Sequence, residues 1–120
     1  MIYYIGPKDL ISNQGYIPKA TLEQCLDWLE DKTSIAVDTE TEGFLDFKNK
    51  VIMLQIGDKD TQWVIDTRYT NVTRLGTYFQ DPTVEKVFWN AKFDINMLRF
   101  TFGWIVDNIF DCFLAECILT

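Results

Sequence analysis

The chain has 120 residues and a net charge of −7, and it contains no histidine. The missing histidine excludes Ser-His-Asp catalysis, Cys-His catalysis and histidine metal sites within this chain. The negative net charge argues against a broad basic surface that binds nucleic acid, although an enzyme can still contact phosphates through bound metal ions. Hydrophobic residues make up 48% of the sequence, enough for the core of the one domain, 1–120, that this length predicts.

Composition also bears on the compartment. No apolar run approaches the ~18 residues of a membrane helix, so no membrane partner is expected. The first residues lack the basic region and the cleavage site of a signal peptide, which predicts a cytoplasmic protein. The three cysteines are an odd number without a Cys-x-x-Cys pair, so reduced and buried thiols are expected rather than a disulfide framework or a zinc site.

The first part of the chain predicts a strand, an irregular segment and a helix. Ile2–Ile5 is a short apolar run that predicts a strand. Asp9–Lys19 has no clear period and includes a turn-like stretch. The helix is predicted to begin at Thr21, because Thr21 and Gln24, three residues later, match a capping box. Its apolar positions follow helical spacing and predict one buried face, formed by Leu22, Cys25, Leu26 and Leu29.

The following stretch turns from apolar to acidic. Ile35 and Val37 predict a buried strand, and Asp38 and Glu40 are two residues apart, so an extended backbone points both carboxylates to one face. At roughly 5 Å and an effective dielectric near 20, these charges repel by about 3 kcal/mol. A bound cation or a shared proton would relieve the repulsion, and magnesium prefers carboxylate oxygens. The alternative is a solvated strand end without a function.

The second half of the chain alternates between strands and helices. The predicted elements are strands at 51–57, 62–66 and 86–89, helices at 71–80 and 91–102, and a last helix through Leu119 that Asp111 can cap. The first two of these strands are predicted to pair as a hairpin. The order predicts an α/β domain, a mixed sheet flanked by helices, with the Ile35–Asp38 strand at its centre.

A third carboxylate lies in the helix that follows Asn90. Asn90 is a favourable N-cap, and the helix is apolar enough to be buried over most of its surface. The helix dipole alone favours Asp94 in the first turn, typically by 0.3–1 kcal/mol. If the helix instead crosses the end of the Asp38 strand, three carboxylates converge, and such a set suits two-metal phosphoryl chemistry.

Two motifs in this order resemble those of the DEDD 3′–5′ exonucleases. The first is Val37-Asp38-Thr39-Glu40-Thr41-Glu42-Gly43-Phe44-Leu45-Asp46, and the second is Asn90-Ala91-Lys92-Phe93-Asp94, which is similar to the family's Asn-x-x-(Phe/Tyr)-Asp. The chain is most similar to the proofreading domains of family A DNA polymerases and to ribonuclease D, over about Ile2–Thr120. The resemblance implies a ribonuclease-H-like fold.

The resemblance also implies the site. Two Mg²⁺ or Mn²⁺ ions would be held by the catalytic residues Asp38, Glu40 and Asp94. Asp38 would bridge the ions, Glu40 would bind the ion that holds the attacking water, and Asp94 would serve the second ion. The implied substrate contacts are Thr39, Asn90, Phe44 and Leu45, and either Phe44 or Leu45 would stack on the terminal base. The alternative for Phe44 is a loop anchor in the core.

One family motif has no counterpart here. The third motif, Tyr-x-x-x-Asp or His-x-x-x-Asp, supplies a fourth carboxylate and a water-orienting residue, and no tyrosine of this sequence has Asp four residues later. We therefore expect a partial domain that lacks the last strand and helix and needs a completing polypeptide for activity.

The predicted function is hydrolysis of single-stranded nucleic acid, with DNA of the proofreading type expected, from its 3′ end to mononucleotides. The expected partners are that 3′ end and either a polymerase or the completing polypeptide. The alternatives are an inactive exonuclease-like module that binds protein or nucleic acid, and a structural domain that retains the acids as relics.

Overall fold

The computed structural model describes residues 1–7, 10–12, 15–42 and 50–119, without the side chains of residues 10–12 and 16. Its strands are β1 Ile2–Ile5, β2 Leu10–Ser12, β3 Gly15–Ile17, β4 Ser34–Thr41, β5 Val51–Gly57, β6 Gln62–Asp66, β7 Glu85–Phe88 and β8 Ile109–Asp111. Its helices are α1 Leu22–Leu29, α2 Gly76–Gln80, α3 Ala91–Phe102 and α4 Cys112–Leu119, and a 3-10 turn, Thr73–Leu75, precedes α2.

Six of these strands form one mixed sheet in the order β1-β6-β5-β4-β7-β8. Strand β4 lies between β5, which is antiparallel to it, and β7, which is parallel. Strands β5 and β6 pair as the predicted hairpin. The predicted α/β class and the central position of the Ile35–Asp38 strand are therefore confirmed.

The two faces of the sheet differ. Along β4, Val37 and Thr39 are buried, whereas Asp38 and Glu40 are exposed. The buried side faces the core, where side chains such as Leu98 of α3 pack. We call this side the covered face, and the side that carries Asp38 and Glu40 the open face.

Helix α1 begins as the sequence predicts. The backbone N–H of Gln24 donates to Oγ1 of Thr21 at 3.2 Å, and the backbone N–H of Thr21 donates to Oε1 of Gln24 at 2.9 Å. These reciprocal bonds satisfy amides that the helix itself leaves unpaired. The buried residues of α1 are Cys25, Leu26 and Leu29. Leu22 is only partly buried but packs against the same core, so the predicted apolar face is confirmed.

Four short elements were not predicted correctly. Within the segment 9–19, interpreted as irregular, β2 and β3 pair antiparallel. Strand β8, parallel to β7, was also missed. The helix predicted over 71–80 becomes an α-helix only at Gly76. Near its predicted start, Oδ1 of Asn71 accepts bonds from the backbone N–H and the hydroxyl of Thr73, a local turn that competes with helix.

Helix α3 is buried on one side only. Its buried residues are Ala91, Asp94, Met97 and Leu98, while Phe93 and Phe100 are 39% and 52% exposed. The prediction that most of its surface is buried is therefore wrong. The cause is the packing of α3 against a single face of the sheet, which leaves the aromatic flank in solvent.

Two further expectations concern thiols and membranes. The three cysteines are free, but only Cys25 is buried, since Cys112 is half-buried and Cys117 exposed. Within the described ranges, the helices fall short of the length and apolar character that crossing a membrane requires.

Candidate active site

Asp38 and Glu40 lie side by side on the open face, as their spacing predicts. Asp38 pairs across the sheet with Gln55, and Glu40 pairs with Met53. The ladder between the two strands shifts register directly after Glu40, and such irregularities often re-aim side chains beside active sites. The backbone N–H of Thr39 donates to Oδ1 of Asp38 at 3.0 Å. Two carboxylates therefore project from the last part of the central strand.

Asp94 approaches the same strand from the covered face. It lies in the first turn of α3 and is only 4% exposed. The hydroxyl of Thr39 donates a hydrogen bond to Oδ1 of Asp94 at 2.5 Å. Burial, and to a smaller extent the charge of Asp38, raise the pKa of the Asp94 carboxyl to about 6, although the Thr39 bond opposes the shift. This hydrogen bond places Asp94 against the last part of β4, while the convergence of the three carboxylates stays a prediction.

The chemistry of this donor set suits a hard divalent cation, because all three side chains offer carboxylate oxygens. The described ranges nevertheless contain no group of three His, Cys, Asp or Glu side chains arranged to hold a metal ion. The reason is visible in β4, where Asp38 and Glu40 face outward and Asp94 is bonded to Thr39 on the other face. The assignment of these three residues as catalytic metal ligands stays a prediction.

The predicted substrate contacts lie in different environments. Thr39 is 6% exposed and its hydroxyl is bonded to Asp94, while Asn90 is exposed at the start of α3. Phe44 and Leu45 lie outside the described residues. The contacts of these four residues with substrate stay predictions.

Asn90 occupies the N-cap position of α3, as predicted, but its side chain does not accept a capping bond. Its backbone is left-handed, with φ of 60° and ψ of 60°, and its side chain makes no capping bond. The carboxylate of Asp111 performs the capping instead, because it accepts the backbone N–H groups of Asn90 at 3.0 Å and Ala91 at 2.8 Å.

Asp111 also caps α4, as predicted. It accepts the backbone N–H groups of Phe113 at 2.9 Å and Leu114 at 3.3 Å. Burial raises the pKa of the Asp111 carboxyl, but these N–H bonds and those from α3 outweigh it, and the net pKa is lowered. One ionised carboxylate thus joins the first turns of two helices. The sequence shows only that Asp111 precedes a helix, and it contains no signal for the second role.

The family of the chain follows from comparison with known proteins. Residues 16–120 match the family described as 3′–5′ exonuclease. The chain belongs to that family, and its resemblance to the DEDD exonucleases is confirmed.

Individual relatives agree with this family. Exosome complex exonuclease RRP6 of Saccharomyces cerevisiae is 31% identical over 97 residues, which cover 79% of this chain and 13% of RRP6. Among solved structures, Brucella melitensis NrnC with bound Mg²⁺ has a TM-score of 0.69 and 20% identity, and the match covers 98% of this chain and 51% of that one. Escherichia coli RNase D, an exoribonuclease involved in structured RNA processing, has a TM-score of 0.66 and 21% identity, with coverage of 75% and 24%. These likenesses confirm the ribonuclease-H-like fold, and the chain spans about half of NrnC and less of the others.

Proposed function

We propose that the chain contributes Asp38, Glu40 and Asp94 to a divalent-metal-dependent 3′–5′ exonuclease site, which hydrolyses single-stranded nucleic acid from its 3′ end and releases mononucleotides. The observation that carries the proposal is the placement of Asp38 and Glu40 together on the open face of the central strand. Membership of the 3′–5′ exonuclease family supports it.

Each residue of the proposed site has a separate task. Asp38 and Glu40 would hold Mg²⁺ or Mn²⁺ from the open face, and Asp94 would complete the set from the first turn of α3. Bound ions of this kind activate water and stabilise a leaving oxygen. Thr39 positions the buried carboxyl of Asp94 through its hydroxyl, and Asn90 would meet the substrate backbone.

RNA is the proposed substrate, in place of the DNA expected from the motifs. Support comes from RNase D, which is described as an exoribonuclease, and from RRP6, which is named as an exonuclease of the exosome complex. A completing polypeptide that supplies the missing ligand and water-orienting residue is part of the proposal, and a cytoplasmic location stays a prediction.

The test is digestion of 5′-labelled single-stranded RNA and of DNA of the same sequence, with Mn²⁺. We expect little digestion by the 120-residue chain alone, because the acidic side chains that the structure describes do not form a complete metal set. A form extended through a third motif should shorten RNA from the 3′ end, one nucleotide at a time, faster than it shortens DNA.

Variants of the extended form connect the activity to the site. Asp38→Ala, Glu40→Ala and Asp94→Ala should each be nearly inactive. Asp31→Ala, which removes an exposed acid beyond α1, is the matched control and should keep full activity. Digestion that survives Asp38→Ala would refute the proposed mechanism, and faster digestion of DNA would refute the choice of RNA.

A second candidate is an inactive exonuclease-like module that binds nucleic acid. The observation that favours it is the incomplete metal set in the described residues. In that case RNA would bind equally well with Mn²⁺ and with EDTA, and the extended form would not digest it.

A further inference from the structure

Trp89 is an exposed tryptophan at the end of β7, the parallel neighbour of the strand that carries the acidic pair. It directly follows β7 and is 60% exposed. Strands β4 and β7 are parallel, and Ala36 pairs with Val87. Because the two strands are parallel, the end of β7 at Phe88 and the last part of β4, which carries Asp38 and Glu40, lie at the same edge of the sheet. A large aromatic surface thus follows β7 at the edge of the sheet where the proposed site lies.

The position of this indole is fixed by its surroundings. The ring of Trp89 meets that of Phe113 edge to face, with 5.5 Å between ring centroids and 70° between ring planes. Phe113 belongs to α4, and its backbone N–H and that of Asn90 are both bonded to Asp111. One carboxylate therefore ties the backbone next to Trp89 to that of Phe113, which reduces the conformational freedom that a ligand must remove on binding.

We propose that Trp89, supported by Phe113, is a stacking surface for a nucleobase of the substrate strand. The proposal rests on the proposed function of the acidic site, because it places the base beside the residues that would act on the same strand. A flat aromatic face stacks on any base and needs no sequence. The residue that the motifs assign to base stacking, Phe44 or Leu45, belongs to a different part of the sequence, outside the described residues, so Trp89 is proposed as an additional contact.

The charge of the chain favours stacking over ionic binding. With a net charge of −7, the chain cannot neutralise many phosphates, and its affinity for RNA should depend only weakly on salt. Apolar side chains such as Leu114 and Ile118 also stand exposed on nearby α4, so contact with a protein is the competing outcome that the experiment must separate.

The test is titration of the 120-residue chain with a short single-stranded adenine RNA in EDTA. Binding is monitored by tryptophan fluorescence of the protein and by the anisotropy of a fluorescein at the 5′ end of the RNA. The RNA should quench the emission of Trp89. Trp89→Leu should weaken binding between about 5-fold and about 150-fold, which corresponds to ~1–3 kcal/mol for one stacked base. Trp89→Phe should restore most of the affinity, and Phe113→Leu should cause a smaller loss.

Two controls sharpen the result. Tyr69→Leu removes an aromatic ring that is 69% exposed and packs on Arg68 instead, and it should leave the affinity unchanged. An RNA of the same length without bases should bind weakly and should be insensitive to Trp89→Leu.

The outcomes separate this proposal from the proposed function. The stacking proposal is overturned if RNA does not bind in EDTA, or if Trp89→Leu binds it as tightly as the parent chain. It is also overturned if sedimentation shows self-association that Trp89→Leu abolishes while RNA binding is unaffected. The titration contains no metal, so it does not depend on the metal site. If the proposed metal site is wrong, Mn²⁺ will not stabilise the chain, but Trp89→Leu will still weaken RNA binding.

Discussion

Lys86 allows a sharp test of how a buried cation is stabilised. Its side chain is fully buried in β7, and Nζ donates to the backbone carbonyl oxygens of Tyr78 at 3.2 Å, Asp81 at 2.7 Å and Val84 at 2.5 Å. Burial lowers the pKa of Lys86, although the charges of Asp81 and Asp107 oppose the shift. The ammonium thus closes the end of α2 and the turn that leads into β7.

Replacing Lys86 with Met keeps most of the side-chain volume and removes the charge. Three hydrogen bonds from a charged donor, each worth ~1.5–3 kcal/mol, are lost. Part of this loss is offset, because burying an ammonium costs several kcal/mol. We therefore expect Lys86→Met to lower the free energy of unfolding by about 2–4 kcal/mol, and Lys86→Ala to lower it further because of the cavity.

The assay is urea unfolding monitored by circular dichroism, and the m-value should be the same for the parent chain and the variants. Lys59→Met makes the same chemical change at an exposed turn position and should alter stability by less than about 0.5 kcal/mol. A Lys86→Met chain that is as stable as the parent would show that desolvation cancels the three hydrogen bonds.

Three other measurements test the site and the core. Mn²⁺ at about a hundred times its dissociation constant should add ~2.7 kcal/mol of stability and so raise the melting temperature. Asp38→Ala should abolish this increase, whereas Asp31→Ala should keep it. An equal increase in both variants would contradict the metal site. Leu98→Ala should lower the free energy of unfolding by ~2–5 kcal/mol, because Leu98 is fully buried. Phe100→Ala, at an exposed position of the same helix, should change it little. A loss below about half a kcal/mol for Leu98→Ala would contradict the packing of α3. Asp111→Ala should speed amide hydrogen exchange in the first turns of both α3 and α4, and acceleration in α4 alone would contradict the shared cap.

The elements that could be predicted from the sequence are those with a long or chemically distinct pattern. The capping box of Thr21, the hairpin of β5 and β6 and the alternation of β4 each follow from the spacing of neighbouring residues. Strands of three residues, such as β8, are too short to show a period of two. The burial of Lys86 escapes prediction for another reason, since it depends on carbonyl groups that only the folded turn brings together.

The candidate site likewise has features that the sequence predicts and features that it does not. That Asp38 and Glu40 share a face follows from the geometry of extended backbone. The burial of Asp94 and its bond to Thr39 depend on how α3 crosses the sheet, which local sequence does not encode. That the side chain of Asp111, and not that of Asn90, caps α3 likewise depends on contacts between residues 20 and 21 positions apart.

The shared cap at Asp111 also sets an order of events during synthesis. A chain emerges from its N-terminus at about 5–20 residues per second, so the amides that open α3 exist before their acceptor does. The carboxylate that accepts the first amides of α3 becomes available only when residue 111 has been added, and α4 begins at the next residue. The acids of β4 are therefore synthesised well before the cap of the helix that carries Asp94.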